Sequence, residues 1–139
     1  MHRNLVVALV GALAIAVAVA GGALAASTGP AVKVQIKTQS KTLKTAVVHG
    51  STGWITKAGA PKGKCSAKSG AGALNAATHG KWTAKWYPKF GDYLVGSVLG
   101  VKPKGKDFWE LVVNGKPASS GICHVKLKAH QTIVFKIAK

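Results

Sequence analysis

The run Asp107–Lys139, DFWELVVNGKPASSGICHVKLKAHQTIVFKIAK, decides how the chain is read. Phe108 to Val113 is rich in aromatic and β-branched residues, and Trp109, Leu111 and Val113 share one face of an extended strand. Asn114-Gly115 follows. Both central residues of a type I′ turn need positive φ, so this pair predicts a tight hairpin. From Gly121 the chain alternates again, with Cys123, Val125 and Leu127 against His124, Lys126 and Lys128, which predicts a second, half-buried strand. Thr132 to Ala138 predicts a third, with Ile133, Phe135 and Ile137 on its apolar side. Three successive strands, each with one apolar face, imply a small sheet over a core.

Upstream, Val32–Lys37 alternates Val32, Val34, Ile36 against Lys33, Gln35, Lys37, and Thr42–Val48 offers it a partner strand. Trp54-Ile55-Thr56 is a short extended piece. Lys57–Lys68 is a Gly-, Pro- and Lys-rich loop carrying Cys65. Ser69 is a natural N-cap for a helix over Gly70–His79, with Gly80 as its stop, although Gly70 and Gly72 weaken the helix. Lys81–Tyr87 and Tyr93–Leu99 are further strands, the second interrupted by Gly96, which predicts a bulge or a close approach. Strands, one helix, then strands indicate an α+β fold with a mainly antiparallel sheet packed on one short helix.

The first residues read as a targeting signal. Met1-His2-Arg3-Asn4 is basic, Leu5–Ala20 is apolar and uncharged, and Ala23-Leu24-Ala25 suits cleavage. Residues 1–25 are therefore expected to be a signal peptide, and residues 26–139 a single secreted or cell-surface domain that meets the membrane only through that segment. The positive mean hydropathy of +0.20 owes much to this stretch. Outside the cytosol two cysteines in a small domain usually pair, so Cys65 and Cys123 are expected to be bridged. At 58 positions apart the bridge stabilises by roughly 4 kcal/mol in the chain-entropy model. Cys65 and Cys123-His124 would supply three metal ligands, but they lack the close spacing of zinc sites, and no metal is expected.

Without Arg3 the chain carries nineteen lysines against three acids, Asp92, Asp107 and Glu110, hence a net charge of +16. Such a surface attracts polyanions at low salt. With no arginine left to grip bases and phosphates bidentately, specific nucleic-acid binding is not expected. Acidic envelope polymers are the expected charged partners, with Lys102, Lys104 and Lys106 as the densest contact cluster in a diffuse field. Catalysis is poorly supplied. Three carboxylates give no spaced acid/base pair, no Gly-x-Ser-x-Gly elbow occurs, and no Gly-rich loop cradles phosphate, so no enzyme and no catalytic residue is expected. Each of the four tryptophans, Trp54, Trp82, Trp86 and Trp109, is more readily placed in the core, but together they exceed what the core needs, so one or two are expected to line a groove that stacks a flat or sugar-like ligand.

Several short motifs, in order, resemble one family. Ser97-Val98-Leu99-Gly100-Val101-Lys102-Pro103, Asp107-Phe108-Trp109-Glu110-Leu111, Ser120-Gly121-Ile122 and Gln131-Thr132-Ile133 are similar to the C-terminal domain of the transcobalamin and intrinsic factor family. They are closer still to secreted bacterial domains of unknown function that share it. Those carry an upstream cysteine, a helix like Ala73-Leu74-Asn75-Ala76-Ala77-Thr78, Val113-Asn114-Gly115 and a Gly121-Ile122-Cys123 step. The match runs from about Cys65 to Ala138. It departs at Ala129-His130, where the family usually carries Gly-Asp or Asp-Gly before the last strand. The resemblance implies a β-grasp fold and a non-enzymatic binding module for a small extracellular ligand. It also implies a corrinoid-contacting strand at Trp109, Glu110 and Leu111. The bound ligand is expected to be a small molecule or a cell-envelope component such as an acidic polymer. The alternative reading is a basic envelope protein held by charge alone.

Overall fold

The computed structural model describes residues 29–57, 59 and 62–139, so the expected signal segment 1–25 lies outside the described residues. The chain forms β1 (Ala31–Lys37), β2 (Thr42–His49), β3 (Trp54–Ile55), β4 (Cys65–Ser66) and α1 (Gly70–Thr78). These are followed by β5 (Trp82–Tyr87), β6 (Asp92–Val98), β7 (Phe108–Val113), β8 (Lys116–Pro117) and β9 (Thr132–Ala138). The main sheet has the order β2-β1-β9-β7-β8, while β3-β4 and β5-β6 form two separate two-stranded sheets. The first and last long strands, β1 and β9, run parallel at the centre, and the other ladders are antiparallel. The fold is α+β, as the element order predicts.

The alternating residues meet in register. Val34 lies beside Ile133 and Ile36 beside Phe135, and Leu111 lies opposite Phe135 on the other flank of β9. Val32, Val34, Ile36, Ile133 and Phe135 are all buried, and α1 contributes Ala71, Ala73, Leu74 and Ala77 to the same core. Each large apolar side chain buried here stabilises by roughly 1.5–3 kcal/mol. On the opposite face Glu110 pairs with Lys136 at 3.2 Å, a half-exposed surface contact worth about 0–1 kcal/mol.

The hairpin at Asn114-Gly115 forms as expected, with φ of 49° and 81°, but its second arm is Lys116–Pro117. The strand expected from Gly121 does not form. Residues 122–124 make a turn, and Lys126 contributes only an isolated bridge to Ser69. The reason lies in α1. The first N–H groups of a helix have no partner within it. Here Gly70 N–H donates to the Val125 carbonyl (2.8 Å) and Ala71 N–H to the Ile122 carbonyl (3.0 Å). The segment spends its backbone on the helix end rather than on a sheet ladder, while Ile122 and Leu127 still reach the core. Ser69 occupies the N-cap position, yet its hydroxyl donates instead to the Ser66 carbonyl at 2.7 Å. At the other end His79 adopts the left-handed conformation expected of Gly80, and Gly80 follows it at positive φ. The bulge predicted at Gly96 is present, because Thr83 pairs with Ser97 while Ala84 pairs with Val95.

Cys65 and Cys123 are joined by a disulfide, with Cα atoms 5.0 Å apart. It ties β4 to the segment that caps α1. Among the described residues no helix is long and apolar enough to cross a membrane.

Candidate functional site

The β5–β6 hairpin stands beside β7 without a ladder between them, and a groove opens along this seam. Its wider part, about 640 Å³, lies between Phe90, Leu94 and the Ser119–Gly121 segment. A narrower part, about 230 Å³, continues past Tyr93 and Leu94 to Phe108 and Trp109. The two share Tyr93, Leu94, Ser120 and Gly121, so they form one continuous depression.

Three side chains on its rim are apolar and exposed: Phe90 (64%), Leu94 (52%) and Phe108 (44%). Strand alternation explains Leu94. Its neighbours Tyr93 and Val95 point into the core, which turns Leu94 outward. Phe90 is carried outward by the hairpin turn, which Gly91 closes at φ 58°. In a chain with nineteen lysines none lines either part of the groove, whereas two of the three acids, Asp92 and Glu110, do. The lining is therefore largely apolar in a strongly positive molecule, with Asp92 buried and Glu110 paired to Lys136.

The polar groups at the wide end are already engaged. Asp92 is buried, and its Oδ1 accepts from the N–H of Tyr93 (2.8 Å) and of Cys123 (3.0 Å). His124 Nε2 is 3.1 Å from the Phe90 carbonyl, so this nitrogen carries the proton and donates. Its distance to Asp92 Oδ2 is 3.8 Å. The carboxylate of Asp92 and the two cysteine sulfurs lie within 4.8 Å of one another. That triplet is no metal centre, because the sulfurs are bonded to each other and offer no thiolate. Ser119 and Ser120 present hydroxyls on the exposed wall.

Trp109, Glu110 and Leu111 all line the narrow part of the groove. Trp109 is only 6% exposed, and its indole Nε1 is buried without a hydrogen-bond partner. The Ala118 N–H donates to the Leu111 carbonyl, which turns the Leu111 backbone toward β8 and, by alternation, the Trp109 backbone toward the groove. Lys102 and Lys104 lie elsewhere. They line a separate cleft that shares no residue with the groove, and Lys106 lines neither. Of the other tryptophans, Trp82 is core and donates to Asn75 Oδ1 (3.0 Å), and Trp86 packs edge-on against Tyr93. Trp54 is 63% exposed beneath the Lys64 ammonium. Phe90 and Leu94 escape a reading of the sequence alone, since an apolar residue in a strand or turn is normally assigned to the core.

A family model described as Domain of unknown function (DUF4430) matches residues 78–139, from the last residue of α1 through β9. This bears out the resemblance carried by Ser97–Pro103, Trp109 and Gly121-Ile122-Cys123. The match begins downstream of Cys65 and most of the helix. A comparison with curated proteins finds no significant match. Among solved structures the chain is similar to haptocorrin, of the transcobalamin family, in a crystal structure of its complex with Cbi. The TM-score is 0.55 at 11% identity, over 81% of this chain and 26% of that one. The likeness is one of fold, and this chain spans about a quarter of that protein's length.

Proposed function

We propose that the chain is an exported, non-enzymatic binding module of the β-grasp type, whose ligand lies in the groove between the β5–β6 hairpin and β7. The β-grasp reading is supported by the parallel β1–β9 pair at the centre of the sheet and by the helix packed against it. Export is supported by the disulfide, which persists in oxidising compartments. The observation that carries the binding role is the groove itself. Phe90, Leu94 and Phe108 are apolar and open to water along a depression that no lysine lines. Folding gains nothing from that exposure, and a ligand with an apolar face gains by covering it.

The ligand class this favours is a flat molecule with a large apolar face and amide or hydroxyl edges, a corrinoid being the first example to test. Such a molecule would stack on the rim and meet Ser119, Ser120 and the Trp109–Leu111 edge with its polar groups. The chain's share of haptocorrin's length, about a quarter, is consistent with one wall of a larger site. The test is titration of a corrinoid, haem and nucleotides against tryptophan fluorescence. Saturable quenching by a corrinoid that survives high salt, and that is lost in Leu94→Asp with unfolding unchanged, is the expected result. No saturable quenching by any of the three would sink the proposal.

The second reading is a basic envelope protein held by charge alone. It predicts adsorption that declines uniformly with salt and is indifferent to Leu94→Asp.

A further inference from the structure

Nineteen lysines suggest a diffuse positive field, but the fold concentrates three of them from two distant segments. The β1–β2 turn, Thr38–Lys41, lies against the loop that runs from Val101 to Asp107, and a cleft of about 410 Å³ separates them. Lys41 enters it from the turn, and Lys102 and Lys104 enter it from the loop. The two segments are clasped by Gln39, whose side-chain amide donates to Asp107 Oδ2 at 3.1 Å.

Both walls are ordered by their own hydrogen bonds. In the turn, Thr38 N–H donates to the Lys41 carbonyl (2.8 Å), and Thr38 Oγ1 accepts from the N–H of Lys41 (3.1 Å). At the loop's start Val98 and Val101 exchange two backbone hydrogen bonds across Leu99 and Gly100, both at positive φ. At its end Asp107 N–H donates to the Lys104 carbonyl at 3.0 Å. Pro103 stiffens the loop between the two lysines. The ammonium groups are therefore presented from a prearranged frame, which lowers the ordering cost of binding.

We infer that this cleft is an anion site, and that its occupant is a phosphate-bearing polymer of the phosphodiester type. Three lysines and one acid, Asp107, line the cleft, and the Asp107 carboxylate accepts from the Gln39 amide. Lysine binds phosphate as a compact point charge without needing the bidentate fork of arginine, which these residues lack, and a phosphodiester polymer presents one such charge at every repeat. The Ser40 hydroxyl on the same wall adds a neutral donor. A polymer is favoured over a free ion because the cleft is open and its lysines come from two segments on opposite walls, so successive phosphates can be gripped in turn. Lys41 is the member that no local reading of the sequence would group with Lys102 and Lys104. The inference does not depend on the groove, with which the cleft shares no residue.

The experiment compares two triple variants with equal loss of charge, binding a poly(glycerol phosphate) polymer at several salt concentrations. One is Lys41→Gln, Lys102→Gln, Lys104→Gln. The other is Lys85→Gln, Lys116→Gln, Lys126→Gln, whose lysines are exposed and outside the cleft. Thermal unfolding establishes that both fold. The first triple is expected to weaken binding at least about tenfold more than the second and to reduce the salt slope by about 2, since each neutralised phosphate contributes about 0.7–0.9 to it. Equal losses in the two triples would overturn the cleft in favour of the diffuse field. Complete displacement of the polymer by inorganic phosphate at equal phosphorus concentration would overturn the polymer as occupant.

Discussion

The backbone N–H of Cys123 donates to Asp92 Oδ1 at 3.0 Å, joining the disulfide-bearing segment to the first residue of β6. The contact is tight enough that a Cβ at the adjacent Gly121 would overlap the Asp92 carboxylate. One buried acid thus fixes the hairpin, the bridge and the wall of the groove together. Replacing Asp92 by Ala leaves the Cys123 N–H without its partner in a part-buried site. We expect a loss of about 1–3 kcal/mol in urea unfolding. An unchanged midpoint would show that the contact carries no stability.

The bridge between Cys65 and Cys123 holds β4 against the segment whose carbonyls cap α1. Exported protein should show no thiol open to alkylation before reduction. Cys65→Ser with Cys123→Ser should lose about 2–5 kcal/mol. A double variant as stable as the parent would remove the bridge from the account of the fold.

Gly72 distinguishes local propensity from tertiary contact by the sign of a single measurement. Helix propensity alone predicts that Gly72→Ala stabilises by roughly 1 kcal/mol. In the fold a Cβ at this position would overlap the backbone carbonyl of Ala67, which a rigid turn cannot withdraw. The expected outcome is destabilisation by about 1–3 kcal/mol. A raised melting temperature would contradict the close approach.

Asn114 serves the hairpin twice. It takes a positive φ of 49°, and its Oδ1 accepts from the Thr132 N–H at 2.9 Å, pinning the turn to the start of β9. Asn114→Gly keeps the conformation and loses the hydrogen bond, at a cost of about 1 kcal/mol. Asn114→Ala loses both and should cost roughly twice as much. Equal costs for the two variants would mean that the backbone conformation contributes nothing.

Trp109→Phe bears on the groove. Because the indole Nε1 has no partner, this change removes volume without breaking a hydrogen bond, so stability should fall by only about 1–2 kcal/mol. The folded variant should bind the corrinoid more weakly than the parent if the Trp109 side chain forms part of the site. Undiminished binding would leave only its backbone edge at the narrow end and confine side-chain contacts to the wide end around Phe90 and Leu94.

The sequence by itself determined the elements whose causes are local. Alternation placed Val32, Val34 and Ile36 on one face, and likewise Ile133 and Phe135, because a strand has period two whatever it pairs with. Asn114-Gly115 specified its turn, and Gly96 its bulge, because positive φ and a missing side chain are properties of single residues. With two cysteines in the chain, the bridge followed once export was assumed. Hydrogen-bond partners far apart in the chain were decided only by the tertiary structure. Residues 121–128 carry a strand pattern, yet the unpaired N–H groups of Gly70 and Ala71 claim the carbonyls of Val125 and Ile122, and a carbonyl spent on a helix end leaves no ladder. For the same reason Phe90, Leu94 and Phe108 became a rim, and Lys41 met Lys102 and Lys104. Their roles depend on which loops the folded sheet brings together, and no short spacing in the sequence encodes that.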